Sequence, residues 1–237
     1  MLYIVATPIG NLEDISARAL RILREVDFIL AEDTRVSRKL LDRFKINTKV
    51  ISYFQHSRDS KIDYIIDLLK QDRKLALITD AGTPGISDPG NKLVARVVSV
   101  FGSGVKIEPI PGPSAVTTAL SISGLPADRF LFMGFVPHKK GRKKFLAQIL
   151  AERNTVVFFE SKYRILKTLQ SLKQLSADIL SQDKFFVVCR ELTKSFENIY
   201  RGFIDQVLIK VSADPVKGEY VIVVGSGVEY KSEINNS

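Results

Sequence analysis

Short apolar runs alternate with helically spaced apolar residues through the first half of the chain. Residues 2–6 read as a strand. Ile15, Ala19, Ile22, Leu23 and Val26 then recur at helical spacing and form one stripe. Residues 28–31 predict a second strand, followed by a helix from Thr34 that turns Val36, Leu40, Leu41 and Phe44 inward. A weaker third strand falls at 50–54, and Ile62, Ile65, Ile66 and Leu69 mark the next helix. Residues 75–79 are apolar almost throughout, the pattern of a strand covered on both faces. Asp88-Pro89 then predicts an N-cap with proline at the first helical position, opening a helix that runs to 98. A fifth strand follows at 105–110. Strands alternating with helices imply parallel pairing through right-handed crossovers.

Pro109-Ile110-Pro111-Gly112-Pro113 is the stiffest punctuation in the chain and sets the expected domain boundary. The expectation is an N-terminal α/β domain over 1–112 with a mostly parallel sheet, a C-terminal α/β domain over 113–228, and a frayed polar tail over 229–237. Pro113 is expected to start a helix over 114–123 that Gly124 ends. In the second half, strands are expected at 130–135, 155–159, 185–189, 199–203 and 220–224. Helices fit at 140–152, 163–175 and 203–212. The strands near 187 and 200 have no helix between them, so this sheet is expected to be mixed.

Composition narrows the class. With 237 residues, 45% hydrophobic and 26% charged, the chain can bury a substantial core without staples. The single cysteine, Cys189, lies in the run Phe185-Phe186-Val187-Val188, so an internal disulfide is excluded and a reducing compartment is expected. The start of the chain lacks a basic segment, and no stretch reaches the roughly 18 apolar residues of a membrane span, so a cytoplasmic location without membrane association is expected. A net charge of +9 favours a polyanionic partner. Charge alone does not choose between RNA, DNA and a polycarboxylate small molecule.

Three loops stand where ligands of open α/β sheets bind, just past strand carboxyl ends. They are Ala6-Thr7-Pro8-Ile9-Gly10-Asn11-Leu12-Glu13-Asp14, Asp80-Ala81-Gly82-Thr83-Pro84-Gly85-Ile86-Ser87-Asp88-Pro89-Gly90, and Pro111-Gly112-Pro113-Ser114-Ala115. Any one of them is explained by the needs of a tight turn. The second is harder to dismiss: its small residues let a flat ligand lie against backbone amides, and Asp80 ends a strand where it can face a ribose hydroxyl or a sulfonium. The first loop has only Gly10 where a nicotinamide site needs Gly-x-Gly-x-x-Gly. A Walker loop is absent. His56, His138 and Cys189 are too scattered to predict a metal site.

These loops, together with Glu32-Asp33-Thr34-Arg35 and Arg190-Glu191-Leu192-Thr193-Lys194, occur in an order that resembles the family of small-subunit ribosomal RNA cytidine 2′-O-methyltransferases within the tetrapyrrole methylase superfamily. The resemblance spans residues 2 to about 225. It implies the tetrapyrrole methylase fold: two α/β domains, S-adenosyl-L-methionine in a cleft between them, and a homodimer. It places the cofactor against Pro8, Ala81, Gly82, Thr83, Ile86, Ser114 and Ala115, and from the second domain against Phe159 and Glu160, with Asp80 joining them from the loop reading above. Val188 and Glu219 match more loosely. It also implies an RNA substrate, either ribosomal RNA or an assembled small subunit. Some relatives carry a further C-terminal segment, whereas this sequence stops soon after its last expected strand, so RNA contacts from such a segment are not expected.

The basic features fit such a partner. Lys139, Lys140, Arg142, Lys143 and Lys144 crowd one loop-to-helix junction, and Arg35, Arg38 and Lys39 share one face of the helix after Thr34. Contacts of this kind position a nucleic acid without reading it. His56, beside Tyr53 and Phe54, is a candidate for stacking on a base. Methyl transfer from a sulfonium is an in-line displacement that depends on orientation and on help for a weak hydroxyl nucleophile. Glu160, Glu191 and Glu219 are candidate bases, and Arg35, Arg190 and Lys194 candidate electrostatic aids. Two other readings stay open, a tetrapyrrole methyltransferase and a catalytically silent RNA-binding protein. The first loop lacks the Gly-x-Gly-Pro-Gly-Asp-Pro pattern of the former.

Overall fold

The computed structural model describes residues 1–54, 59–179 and 184–226, and the chain divides into two compact units, Met1–Ser114 and Ala115–Ser237. The expected tail and His56 lie outside the described residues.

The first unit is a five-stranded, wholly parallel sheet of β1 (Leu2–Val5), β2 (Phe28–Ala31), β3 (Lys49–Ser52), β4 (Leu75–Leu77) and β5 (Ile107–Ile110), in the order β3-β2-β4-β1-β5. Four helices join them: α1 (Ala17–Glu25), α2 (Thr34–Arg43), α3 (Asp59–Lys70) and α4 (Asn91–Phe101). Residues alternate across each strand, so Ile29, Ala31, Ala76 and Ile78 face α1 and α2, while Leu30, Leu75 and Leu77 face α3 and α4. Both faces are thus buried, which explains the unbroken apolar runs. A fully buried leucine such as Leu23 or Leu30 contributes roughly 1.5–3 kcal/mol. Ser16 caps α1 by accepting from the Ala19 amide, and Asp33 caps α2 by accepting from the Arg35 amide.

The helices set a switch point in this order. The chain leaves β1 through α1 on one face and leaves the adjacent β4 through α4 on the other. The carboxyl ends of β1 and β4 are therefore the position where open α/β sheets form a ligand crevice, and here the loops that follow them are bridged at Thr7 and Gly82.

Two expectations need correction here. Asp88-Pro89 does not open α4, whose N-cap is Gly90, with φ +150°. A Cβ at Gly90 would lie 3.1 Å from the Gly85 nitrogen, so the loop folds back on itself before the helix begins. Val36 does not point inward. With α2 starting at Thr34, Ser37 and Leu41 take the buried phase, and Val36 is 40% exposed.

The second unit is a mixed sheet of β6 (Phe130–Phe135), β7 (Thr155–Ser161), β8 (Lys184–Arg190), β9 (Asn198–Phe203) and β10 (Glu219–Ser226), in the order β6-β7-β10-β8-β9. Only β6 and β7 pair in parallel. Helices α6 (Arg142–Ala151), α7 (Ile165–Ile179) and α8 (Ile204–Ala213) cover the face carrying Phe158, Phe186, Val188 and Ile222. The short helix α5 (Ala115–Ser121) packs against β7 and β10. The strand registers bring Phe135, Ser161, Arg190, Asn198 and Glu219 to one edge of the sheet, so the loops after β6, β7 and β8 share that edge. Among the described residues, no helix is long and apolar enough to cross a membrane.

Candidate functional site

In the first unit, the loops after β1, β4 and β5 meet by backbone contact. The Thr7 amide donates to the Gly82 carbonyl at 2.9 Å, and the Gly82 amide returns the bond to Thr7 at 3.0 Å. The buried Thr7 hydroxyl donates to the Thr79 carbonyl at 3.0 Å, fixing the first loop to the end of β4. Thr83 Oγ1 donates to the Pro113 carbonyl at 3.2 Å, and Gly112 lies so near Ala6 that a Cβ there would sit 3.1 Å from the alanine methyl. Gly82 has φ +86°, and a Cβ on it would stand 3.5 Å from Ile9 Cγ2 and 3.9 Å from the Pro113 carbonyl oxygen. The crevice floor is therefore main chain and small residues, held without bulky side chains.

The end of β2 adds the charges. Asp80 accepts from the Asp33 amide at 3.1 Å, and Asp33 in turn holds Arg35 through Nε at 3.1 Å and Nη2 at 2.6 Å. The Arg35 side-chain bonds hold the Asp33 carboxyl down to about 2. Burial raises the Asp80 carboxyl above its ordinary value; the bond from the Asp33 amide opposes this and the Asp33 charge adds to it. Thr79 donates to Glu32 at 2.9 Å and closes the back of the site. Pro8 is buried beside this crevice, while Asp80, Ala81 and Ile86 are exposed and Thr83 is half-buried. Ser114 ends the first unit; Ala115, half-buried, opens the second at the start of α5.

The second unit gathers a different kind of site at the shared edge. The Glu160 side chain is fully buried. Its Oε1 accepts from the Ser161 amide at 2.7 Å and pairs with Arg164 Nη2 at 2.7 Å, and its Oε2 accepts from the Thr168 hydroxyl at 2.6 Å. Arg142 Nη1 stands 3.6 Å from Oε2, and Arg142 Nη2 donates to Thr168 Oγ1 at 2.7 Å. Arg164 also donates to the Val136 carbonyl at 2.9 Å. One carboxylate thus ties the ends of β6 and β7 to the starts of α6 and α7.

Two of the expected site residues are engaged within the unit. Both oxygens of Glu160 are held in this buried cluster, an arrangement that favours a structural role over that of a base or a cofactor contact. Arg142 is not free for RNA, because its guanidinium is turned inward with 13% side-chain exposure, whereas Lys139, Lys140, Lys143 and Lys144 around it are exposed. Sequence reading missed Arg164 and Thr168, although their spacing of four and eight residues after Glu160 was a usable signal. Phe159 is half-buried, its ring edge-on to Phe132 and Phe135 at 5.0 and 5.2 Å.

The fifth motif follows β8. Glu191 Oε1 accepts from the Glu219 amide at 2.9 Å and from Lys194 Nζ at 3.0 Å, while Lys194 also reaches Glu219 Oε2 at 2.8 Å. Burial alone would raise the Glu191 carboxyl, but the Lys194 and Glu219 hydrogen bonds bring it below the ordinary range. Arg190 donates to the Lys217 carbonyl at 3.1 Å and lies 3.8 Å from Asp214. On the first unit, Arg38 and Lys39 are exposed beside Arg35 on α2. Among the described residues, no three His, Cys, Asp or Glu side chains gather as metal ligands. A groove of about 540 Å³ lined by Arg24, Asp27, Thr48, Lys49 and Arg73 lies at the amino ends of β2 and β3, away from the ligand-binding edge of such a sheet.

Comparison with known proteins bears on the family and the fold. The model of the tetrapyrrole (corrin/porphyrin) methylases matches residues 1–208. Proteins named ribosomal RNA small subunit methyltransferase I are similar over nearly the whole chain. The one from Vibrio cholerae is 45% identical, covering 94% of this chain and 76% of its own. The one from Thermotoga maritima is 40% identical over 96% of this chain and 99% of its own. Among solved structures, cobalt precorrin-4 methyltransferase, a cobalamin biosynthetic enzyme, superposes with a TM-score of 0.68 at 19% identity, covering 94% of each chain. The uroporphyrin-III-C-methyltransferase of Thermus thermophilus gives 0.63 at 17% identity, covering 98% of this chain and 97% of that one. These two share the fold.

Proposed function

The chain belongs to the tetrapyrrole methylase family, and from that premise we propose that it is a methyltransferase that uses S-adenosyl-L-methionine to methylate the ribose 2′-hydroxyl of a cytidine in small-subunit ribosomal RNA. One observation carries the choice of substrate: relatives 40–45% identical, aligned over nearly the whole chain, are named for small-subunit ribosomal RNA. The tetrapyrrole enzymes share only the fold, at 19% identity or less.

The crevice after β1, β4 and β5 fits the cofactor. A curled nucleoside needs a floor without side chains, and the Thr7–Gly82 amide pair, Gly82 and Gly112 supply one. In this reading Pro8, Ala81, Gly82, Thr83, Ile86 and Ser114 line it. Asp80 accepts a hydrogen bond from a ribose hydroxyl or faces the cation. When bound, S-adenosyl-L-methionine supplies a methyl group made electrophilic by its sulfonium. The chain supplies orientation of the attacking oxygen and exclusion of water. Arg35, exposed next to the Asp33–Asp80 pair, is the catalytic candidate that the first unit itself brings to the crevice; its charge favours the developing alkoxide. Glu191, held by Lys194 with its acidity raised, is a weak base and is better suited to shaping its loop.

A homodimer acting on ribosomal RNA or the assembled small subunit in the cytoplasm completes the proposal. Incubation with methyl-labelled cofactor and either small ribosomal subunits or uroporphyrinogen tests it. Label recovered in the ribose of one cytidine is the expected result. Label in the tetrapyrrole, or RNA binding without any methyl incorporation, overturns it.

A further inference from the structure

We propose that the loop-bearing edge of the second sheet is a docking surface for a single-stranded RNA segment, whose bases stack on Tyr163 and Phe196 while the surrounding lysines hold its backbone. The proposal rests on the functional reading above and adds the form of RNA that is recognised.

The strand registers put both rings on that edge. Tyr163 follows β7, ending at Ser161, and Phe196 follows β8, ending at Arg190; Ser161 and Arg190 both stand opposite the first residues of β10. Tyr163 is 85% exposed and Phe196 73%. Both loops are pinned from beneath. Arg164, next to Tyr163, is locked by Glu160 and the Val136 carbonyl. The loop of Phe196 is held by the Lys194–Glu191 and Lys194–Glu219 pairs and by Glu197 accepting from the Thr193 amide at 2.7 Å. Glu191 and Thr193 both take left-handed backbone, with φ of 52° and 65°, a strain that persists only where surrounding contacts enforce it. The rings are therefore presented by stiff loops, so little ordering entropy is lost when a base stacks on them.

Charge selects the occupant. Lys139, Lys140, Lys143, Lys144 and Lys217 are exposed at this edge, and among the described residues none has a carboxylate within ion-pairing distance. Lys162 lies over the Tyr163 ring at 5.1 Å. Most carboxylates of the same edge are paired: Glu160 by arginines, Glu191 and Glu219 by Lys194, Asp214 by Arg190 and Tyr200, while Glu197, exposed beside Phe196, accepts from the Thr193 amide and keeps its charge. The surface left facing outward is predominantly cationic and aromatic, the combination that binds a strand with unstacked bases. An A-form duplex keeps its bases stacked and is held through phosphates and minor-groove hydroxyls, for which exposed rings are of no use.

Fluorescence anisotropy of the full chain, without methyl donor, tests this with a labelled RNA of about ten nucleotides and with the same strand annealed to its complement. The single strand is expected to bind more tightly. Tyr163→Ala and Phe196→Ala should each weaken it about tenfold, while Tyr163→Phe and Phe196→Tyr keep wild-type affinity. Lys143→Gln should lower the salt slope of the binding constant by roughly 0.7 if it holds one phosphate. Equal binding of the duplex, or alanine variants that bind like the wild type, overturns the proposal. So does a change in sedimentation mass in the alanine variants, which would make the edge an interface between copies of the chain. Methyl incorporation into small ribosomal subunits by the unaltered protein tests the underlying reading separately. Incorporation alongside unaffected variant binding removes only the docking surface; no incorporation removes the reading and this proposal with it.

Discussion

The two sheets carry their loops at comparable ends but fasten them by opposite means. The first ties its loops with main chain: the reciprocal Thr7–Gly82 bonds, a threonine hydroxyl on the Pro113 carbonyl, and glycine where Ala6 comes close. The second ties them with side chains, one sealed glutamate holding two arginines and a threonine. Backbone fastening leaves an open floor, because the groups doing the holding occupy no more room than the chain itself. Charge fastening fills the interior and leaves the outward side chains as the functional surface. The first arrangement suits a ligand that must lie flat, the second a rim on which a polymer rests.

The sharpest way to break that contrast is to put a side chain on the floor. Gly82→Arg forces an L-residue into φ +86° and drives a long cation between the Ile9 and Pro113 sides of the crevice. Isothermal calorimetry with S-adenosyl-L-methionine should show no measurable binding. Asp80→Ala should also lose affinity while keeping the fold, since its only described interaction of note is with the Asp33 amide. Wild-type affinity in Gly82→Arg would mean the cofactor lies elsewhere.

The second region should fail by unfolding rather than by losing a ligand. Glu160→Ala strands two largely buried guanidinium groups, and removing one partner of such a cluster costs about 3–5 kcal/mol. Urea denaturation should register this as a lower midpoint with an unchanged slope. Replacing Glu160, Arg142 and Arg164 together by leucine and methionine should recover much of the loss, because apolar packing of similar volume often equals a buried ion cluster. If Glu160→Ala keeps full stability but loses methyl transfer, the carboxylate is chemical after all.

The contrast also explains what was legible in the sequence. The first region announces itself locally: Gly82, Pro84, Gly85 and Gly90 are close neighbours, and strand-to-helix turns have a narrow residue vocabulary. The alternation of strands and helices gave the parallel sheet, and the helix-free gap before β9 gave the mixed one. Where α4 begins was not legible, because the Gly90–Gly85 approach depends on a loop folding back on itself. On α2 the start at Thr34 and the inward Leu40, Leu41 and Phe44 were legible, and only Val36 was misplaced, because it is apolar yet outward while the polar Ser37 beside it is buried. The Glu160 cluster was hidden for another reason: Arg142 lies 18 residues before Glu160, and only the pairing of β6 with β7 brings them together. Glutamates in a motif read as chemistry until burial shows that they hold the frame.

A smaller effect separates the two regions by pH. Glu191 sits below its ordinary value, because the Lys194 and Glu219 bonds outweigh burial, and Lys194 sits above its own as its two carboxylates outweigh burial. A lowered carboxyl stabilises the fold above its unfolded value of 4.5, and that contribution is lost as pH falls through the folded value. A raised ammonium contributes below 10.5, and its share is lost as pH rises through the folded value. The loop after β8 should therefore be firmest between roughly pH 5 and 10. Asp80 runs the other way: its raised carboxyl favours the folded state on acidification, so stability falls as pH rises from 3.8 through its folded value. Melting curves of Glu191→Gln should show a flatter acid limb than the wild type, and Asp80→Asn a steeper one. Parallel acid limbs in all three proteins would break the assignment.

The smallest expected effect concerns Cys189, fully buried one residue before the charged edge begins at Arg190. Burial pushes its thiol up to about 12, with the Arg201 charge opposing and Glu197 adding. At pH 8 the buried thiol stays protonated while the unfolded one, with a value of 9.0, carries a minor thiolate fraction, so titration changes stability little there; from 9 upward the unfolded chain gives up its proton first, and stability falls until about 12. A soluble thiol reagent at pH 8 should leave the native protein unlabelled and react at once after denaturation, because the thiolate is the nucleophile and access requires opening of β8. Labelling of the native chain at the rate of a free thiol would show that β8 opens readily. The pairings of Cys189 with Val221 and Ile199 would then be too weak to hold the fifth motif in place.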